Sequence, residues 1–153
     1  MDFNITGPQL GKATDCLPIL HSLPEWFGIP AAVAQYASEI DGLPTFLAVG
    51  SDQVIGFATL KQHNTYSAEV YVMGILPTMH HQGIGRELLL AAQDWLKAQA
   101  VEYLQVKTLG PSDSDLNYAR TRAFYEAMGF RPLEEFKQIW DEHNPCLVMF
   151  KRL

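Results

Sequence analysis

The segment from Gly74 to Arg86 constrains the fold more than any other, because an apolar run leads into a turn that contains two closely spaced glycines. The run from Val70 to Leu76 predicts a buried strand, which Pro77 ends. The apolar spacing after the turn predicts a helix, and Gly83 and Gly85 lie at its start. Unpaired N–H groups and the positive end of the helix dipole converge there, and glycine leaves room for a phosphate. The segment therefore predicts either an anion site made of backbone or an ordinary strand-to-helix turn.

Two common nucleotide-binding motifs do not match this turn. The dinucleotide fingerprint G-x-G-x-x-G requires a third glycine, and Leu88 stands at that position. The P-loop requires Gly-Lys followed by Ser or Thr, a triplet that the sequence does not contain. The six residues from His80 to Gly85, His-His-Gln-Gly-Ile-Gly, instead resemble the Arg/Gln-x-x-Gly-x-Gly/Ala motif of the GNAT superfamily of acetyl-CoA-dependent N-acyltransferases. His80 replaces the usual Arg or Gln of that motif.

A second segment, from Arg122 to Phe130, is similar to another motif of the same family, Asn-x-x-Ala-x-x-Leu/Phe-Tyr-Glu-x-x-Gly-Phe. The triplet Phe124-Tyr125-Glu126 and the pair Gly129-Phe130 match it. Tyr118 and Thr121 stand where the family usually has Asn and Ala. Two matching motifs in the family's order, with one strand between them, indicate membership of the GNAT superfamily.

The helix that carries the second motif is expected to bury one apolar face. Helical spacing places Leu116, Ala119, Ala123 and Ala127 on that face. Tyr125 points roughly 160° away from its centre, on the side of Tyr118 and Thr121, by the same helical arithmetic. This position favours a tyrosine that faces a cleft. The alternative is an aromatic ring packed on the strand that follows.

Periodicity and turn residues predict a mixed α/β protein with the element order β-α-α-β-β-β-α-β-α-β-β. This is the order of the GNAT fold, a central, mostly antiparallel sheet flanked by helices, and the resemblance implies that fold here. At 153 residues, with no internal repeat or linker, the chain predicts a single domain over residues 1–153. The predicted strands are 2–6, 45–49, 54–60, 68–76, 103–109, 130–139 and 145–152, and the predicted helices are 13–22, 31–40, 83–100 and 116–128.

Composition limits the partners and the compartment. The 17 acidic and 11 basic residues give a net charge of −6, which disfavours binding to nucleic acid or to anionic membranes. Cys16 and Cys146 lack a metal-ligand pattern and predict reduced thiols in a cytoplasmic protein. The N-terminus lacks the features of a signal peptide, and no apolar run is long enough to span a bilayer.

The resemblance to the GNAT family implies a co-substrate and a geometry for it. Acetyl-CoA would bind without a metal and pass its acetyl group directly to a primary amine of a small molecule or peptide. The strand at residues 73–75 should splay from the strand at 103–109 to admit pantetheine, and the amides of residues 82–86 should hold the pyrophosphate. The expected cofactor-binding residues are Met73, Gly74, Ile75, His80, His81, Gln82, Gly83, Ile84, Gly85, Arg86 and Tyr118.

Two side chains are assigned to the chemistry. Tyr125 is the expected general acid for the coenzyme A thiolate, or it orients the thioester, because a phenol with a pKa near 10 is a weak acid. An amide near Met73 would polarise the thioester oxygen. Glu69 is the candidate base. Strand alternation predicts that it shares a face with Tyr71, Met73 and Ile75, where apolar neighbours would raise its pKa. A solvent-exposed glutamate and a water chain as the base are the alternatives.

The family resemblance assigns acceptor selection to the first two helices and the last two strands. The expected substrate residues are Trp26, Phe27, Tyr71 and Trp140, with Tyr36 and His143 in the same regions. These aromatics indicate a pocket for an apolar or flat amine, although core packing explains Trp26 and Trp140 equally well. A group of acidic side chains would attract a cationic acceptor weakly. These are Asp113, Asp115, Asp141 and Glu142.

Two other functions compete with acetyl transfer to a small amine. A coenzyme A-binding sensor or scaffold without turnover is compatible with the unusual residues at 80, 118 and 121. A tRNA-targeting acetyltransferase is disfavoured by the negative net charge. A homodimer is possible, and no feature of the sequence decides it.

Overall fold

A seven-stranded sheet with strand order β1-β2-β3-β4-β5-β7-β6 runs through the protein, which we describe from a computed structural model for residues 2–153. All neighbouring strands are antiparallel except the parallel pair β4–β5. The predicted element order and the mixed α/β fold class are confirmed. The strands are β1 (Asn4–Gln9), β2 (Thr45–Gly50), β3 (Gln53–Gln62), β4 (Ser67–Ile75), β5 (Tyr103–Leu109), β6 (Arg131–Asp141) and β7 (Asn144–Arg152). The helices are α1 (Ala13–His21), α2 (Pro30–Ile40), α3 (Ile84–Ala98) and α4 (Leu116–Ala127), with a 3-10 turn at Pro77–Met79.

The sheet separates two apolar clusters. Helix α3 covers one face and buries the stripe predicted from its spacing, including Ile84, Leu88, Ala92 and Leu96. Helices α1 and α2 cover the other face, where Val72 lies in the core. Among residues 2–153 no helix is both long and apolar enough to cross a membrane.

Strand β4 contains a β-bulge at Tyr71. Thr59 of β3 is opposite Val72 and the next β3 residue, Leu60, is opposite Val70, so Tyr71 is the extra residue. The bulge reverses the alternation of side chains. Val70 lies in the α3 cluster, whereas Val72, two residues later, lies in the cluster of α1 and α2. The predicted shared face of Glu69 with Met73 and Ile75 is therefore wrong. Met73 and Ile75 pack against the α3 cluster, as Val70 does, whereas Glu69 precedes Val70 in the strand and points to the other face of the sheet.

The bulge also marks the point where β4 and β5 separate. The two strands pair only from Ser67 to Val70 on β4, opposite Tyr103 to Val106 on β5. Strand β5 remains paired with β7 up to Leu109, so the sheet continues on one side while β4 diverges. The expected splay of residues 73–75 from β5 is confirmed. An open wedge results.

Helix α4 lies beside this wedge, and its predicted apolar face is wrong. Leu116 is 73% exposed, and Ala123 and Ala127 are also exposed. The helix instead turns Tyr125 inward, with half-buried Phe124 beside it. Alanines contribute little apolar area, so burying large aromatic rings over the wedge outweighs burying the alanine stripe.

Candidate active site

A cleft of about 690 Å³ opens where β4 and β5 separate. Tyr125 and the four expected substrate residues, Trp26, Phe27, Tyr71 and Trp140, line it. Glu69 and Gln82 do not; the Gln82 side chain is exposed, with Nε2 3.9 Å from the Met79 sulfur. The other expected cofactor-binding residues all line it: Met73, Gly74, Ile75, His80, His81, Gly83, Ile84, Gly85, Arg86 and Tyr118.

The glycine turn ends the cleft on the α3 side. Gly83 has φ of 81°, a left-handed conformation that favours glycine, and no side chain caps the helix that follows it. The first amides of α3 therefore keep free N–H groups. A Cβ on Gly85 would lie 3.1 Å from Cζ of Phe124, so glycine permits the close approach of α4. We call the part of the cleft formed by residues 73–75 and 80–86 the glycine arm.

The backbone of β4 presents polar groups to the wedge. The Leu76 amide donates to the Ile55 carbonyl at 2.9 Å, so Leu76 faces β3. By alternation, the N–H and C=O groups of Met73 and Ile75 face away from β3, toward the wedge. His80 Nε2 donates to the Ile75 carbonyl at 2.8 Å. This bond holds the imidazole against the end of the strand.

Trp26, in the loop between α1 and α2, bridges the two walls of the cleft. Its Nε1 donates to Thr121 Oγ1 at 2.9 Å, and Tyr118 Oη donates to its carbonyl at 2.8 Å. Its ring meets the His80 ring edge-on at 6.0 Å. The three positions at which the motifs depart from the family pattern, 80, 118 and 121, thus all contact Trp26. Burial raises the pKa of Tyr118 to about 12, with a smaller contribution from nearby Tyr36, so its phenol stays a neutral donor.

Tyr125 is both buried and part of the cleft wall. Only 6% of it is exposed, and its ring packs against Phe124 and Phe130 at 5.4 and 5.5 Å. Burial, more than the neighbouring tyrosines, raises the pKa of Tyr125 well above its ordinary value. The two sequence-based alternatives, a cleft residue and an aromatic packed on the following strand, describe the same position.

Glu69 is buried in a charged environment, and the prediction of apolar neighbours is wrong. The residue is 4% exposed. Its Oε1 accepts hydrogen bonds from Lys107 Nζ at 2.9 Å and from His63 Nε2 at 2.7 Å. Lys107 lines the cleft, so Glu69 is linked to the cleft through this lysine. Lys107 and His63 were not predicted, because they reach Glu69 from β5 and from the segment after β3. The one available signal was a lysine in the middle of a predicted strand, directly after Val106.

Aromatic side chains form the other end of the cleft. Phe27 meets Tyr36 at 5.9 Å, and Tyr36 meets Tyr71 at 5.4 Å, in edge-on pairs. The Tyr71 hydroxyl donates to Glu39. We call Phe27, Tyr36, Tyr71 and Lys107 the tyrosine arm; Trp26 lies between it and the glycine arm.

The acidic residues that were expected to attract a cationic acceptor do not line the cleft. Asp115 caps α4, and Asp113 accepts from the Asp115 amide. Asp141 accepts from Asn144 and from the His143 amide, and the Asn144 bond is the main reason that its pKa is lowered. These carboxylates stabilise turns and a helix end. Trp140, on the edge strand β6, lines the cleft while 43% exposed.

Comparison with known proteins settles the family. The family model for the acetyltransferase (GNAT) domain matches residues 41–132, more than half of the chain. This chain belongs to the GNAT acetyltransferase family. A mycothiol acetyltransferase from Beutenbergia cavernae is 32% identical over 84 residues, which are 55% of this chain and 26% of that protein. The chain thus spans about a quarter of the length of the curated relatives that it matches.

Solved structures of GNAT proteins have the same fold. A protein of the GNAT family from Desulfovibrio desulfuricans superposes with a TM-score of 0.85 at 18% identity and covers 99% of both chains. The PaiA N-acetyltransferase from Thermoplasma acidophilum, solved in complex with coenzyme A, has a TM-score of 0.77 at 16% identity and covers all of both chains. At these identities the likeness establishes the fold, and the expected GNAT fold is confirmed.

Proposed function

We propose that the protein transfers the acetyl group of acetyl-CoA directly to a primary amine of a small molecule or peptide. The observation that carries this proposal is the wedge between β4 and β5, which runs into the uncapped start of α3. The unpaired backbone N–H and C=O groups of β4 along the wedge can hydrogen-bond an extended pantetheine. The free amides at the start of α3 can bind the pyrophosphate of coenzyme A. The coenzyme A in the Thermoplasma acidophilum structure and the name of the mycothiol acetyltransferases support the same co-substrate.

Each part of the glycine arm has a role in this proposal. The amides of residues 82–86 bind the pyrophosphate, and Arg86 adds a positive charge beside them. Backbone groups of Met73 and Ile75 bind the pantetheine. His80 and Tyr118 are engaged with the Ile75 carbonyl and with Trp26, so we propose that they position the walls of the cleft around the coenzyme.

Acetyl-CoA supplies an activated thioester. Transfer forms a bond from the amine nitrogen to the acetyl carbon and breaks the bond from carbon to sulfur; the amine loses a proton and the thiolate gains one. The Met73 amide polarises the acetyl oxygen in this proposal. Tyr125 donates a hydrogen bond to the sulfur and passes its proton to it only as the thiolate develops; its phenolate, whose pKa burial has raised, then recovers a proton from water.

Glu69 is the proposed base, and its location requires a relay. Its carboxylate does not line the cleft, so the proton reaches it by way of Lys107 or a water chain. Glu69→Gln should lower kcat on the order of 100-fold if this carboxylate is the base. Glu39→Gln is the matched control, because Glu39 bonds Tyr71 in the tyrosine arm and has no proposed role in catalysis. A Glu69→Gln protein with an unchanged kcat would assign the base to water alone.

The first experiment measures binding of acetyl-CoA by calorimetry, followed by release of the coenzyme A thiol with a panel of amines. Gly85→Trp should abolish binding, because position 85 already lies against Phe124. Gly42→Trp is the control, since a Cβ there would meet only the Glu39 carbonyl oxygen, at an ordinary contact distance of 3.8 Å. A wild-type protein that does not bind acetyl-CoA would refute the proposal. Binding without thiol release for any amine would favour the sensor or scaffold function.

Two further expectations stay predictions. We propose a cytoplasmic location, supported by two cysteines that are buried and unpaired within the described residues, and we leave a homodimer as a possibility to be tested by sedimentation.

A further inference from the structure

Lys107 has a distinct place among the charged residues of the cleft. Three cationic side chains other than histidine line it: Arg86 at the start of α3, Arg120 on α4, and Lys107 on β5. Within residues 2–153, no aspartate or glutamate lines the cleft. A site for an amine that carries only positive charge would be expected to present a carboxylate. The tyrosine arm presents a lysine.

The position of Lys107 directs it toward the acceptor. It follows Val106, the last β5 residue paired with β4, so it lies at the closed end of the wedge. Val106 packs in the α3 cluster, and Lys107 therefore projects to the opposite face, that of α1, α2 and the tyrosines. Its side chain is 27% exposed. Its ammonium has three donors, and Glu69 takes one of them at 2.9 Å.

Tyr36 provides a second donor in the same arm. It lines the cleft, and its hydroxyl makes no hydrogen bond to another residue of 2–153. Burial, more than the charges of Glu69, Cys146 and Glu39, raises the pKa of Tyr36, so the phenol stays protonated and can donate a hydrogen bond into the cleft that Lys107 also lines.

We propose that Lys107 and the Tyr36 hydroxyl form an anion subsite in the tyrosine arm, and that the acceptor is an amine that also carries a carboxylate, such as an α-amino acid. This inference rests on the proposed function. Glu69 accepts hydrogen bonds from Lys107 and from His63, and this network holds the lysine in place. The other two N–H donors of the Lys107 ammonium are available to a ligand. The edge-on rings of Phe27, Tyr36 and Tyr71 favour an apolar or aromatic side chain on the acceptor.

The test measures the binding of acetylated products, so it does not depend on turnover. The products are compared in pairs that differ only in the carboxylate. The protein saturated with coenzyme A is titrated by calorimetry with N-acetyl-L-phenylalanine and with N-acetyl-2-phenylethylamine, then with the corresponding leucine and methionine pairs. At least one carboxylate member should bind about tenfold more tightly than its partner, the size expected of a charge-assisted hydrogen bond. Lys107→Met should abolish this preference and Lys107→Arg should retain it.

Lys61→Met is the matched control. Lys61 lies 5.1 Å from the Tyr71 ring centroid and 3.8 Å from Glu39, but it does not line the cleft. It should leave the preference unchanged. Because Lys107→Met leaves Glu69 with His63 alone, the double variant Lys107→Met with Glu69→Gln is measured as well, and it should also lack the preference.

The outcomes separate this inference from the proposed function. Failure of the wild type to bind coenzyme A refutes the proposed function. Binding of coenzyme A with no carboxylate preference in any pair, or a preference that survives in Lys107→Met, overturns the anion subsite. Acetyl transfer would then still stand, with Lys107 acting only on Glu69, as its counter-ion or proton relay.

Discussion

The glycine arm and the tyrosine arm are two ends of one cleft, and they are built from different groups. The glycine arm presents backbone: free amides at the start of α3 and the edge of β4 after the bulge. The tyrosine arm presents side chains, which are held by contacts between residues far apart in the chain, such as Glu69 with Lys107. Backbone binds a group that every GNAT protein would share, whereas side chains can differ between relatives. The comparison predicts that substitutions in the two arms affect different steps.

The largest effect is expected at Tyr125, which lines the cleft and belongs to neither arm. Tyr125→Phe keeps the ring that packs on Phe124 and Phe130 and removes only the hydroxyl. We expect kcat to fall on the order of 100-fold, while the affinity for acetyl-CoA stays nearly unchanged. Single-turnover thiol release measures the first quantity and calorimetry the second. Tyr66→Phe is the control, because Tyr66 is 61% exposed and does not line the cleft. An equal kcat for Tyr125→Phe and wild type would remove Tyr125 from the chemistry.

A smaller effect is expected at Trp26, which joins the arms. Trp26→Ala removes the hydrogen bond to Thr121 and the edge-on contact with His80. One hydrogen bond and one aromatic contact together amount to about 1.5 to 2 kcal/mol, so KM for acetyl-CoA and for the amine should each rise about tenfold.

The control for Trp26 is Trp95→Phe, at a tryptophan that packs on Phe46 away from the cleft. If only one of the two KM values changes in Trp26→Ala, Trp26 belongs to a single arm and does not couple them.

The smallest effect concerns stability at high pH. The Tyr118 pKa is raised from 10.0 to about 12, so the folded protein keeps this proton while the unfolded chain loses it. The contribution of Tyr118 to the free energy of unfolding is therefore fully present below pH 10 and is lost as the pH rises toward 12. Tyr118→Phe should be about 1 kcal/mol less stable at pH 8, because it lacks the bond to the Trp26 carbonyl. The difference from wild type should narrow by pH 10.5 in urea unfolding. A constant difference would contradict the raised pKa.

The order of elements and most of the glycine arm followed from local patterns in the sequence. Apolar periodicity placed α3, and two glycines at its start marked the turn. Both depend on residues close together in the chain, where short-range geometry decides the conformation.

The tyrosine arm depended on information that local patterns do not carry. The bulge at Tyr71 arises from pairing between β3 and β4, and it invalidated an alternation argument that holds only for a regular strand. The ion pair of Glu69 and Lys107 spans 38 residues. On α4, the alanine spacing resembled a core face, yet the wedge beneath the helix accepted the aromatic side instead.

The bulge at Tyr71 makes strand β4 two functional segments in one element. Residues before it, such as Glu69, serve the tyrosine arm, and residues after it, such as Met73, serve the glycine arm. Under the proposed function, substitutions in the first segment would change the acceptor, while the second segment would keep its contacts with acetyl-CoA. Because of this one extra residue, substitutions that alter acceptor choice and substitutions that alter donor binding would fall in different parts of the same strand and could accumulate independently.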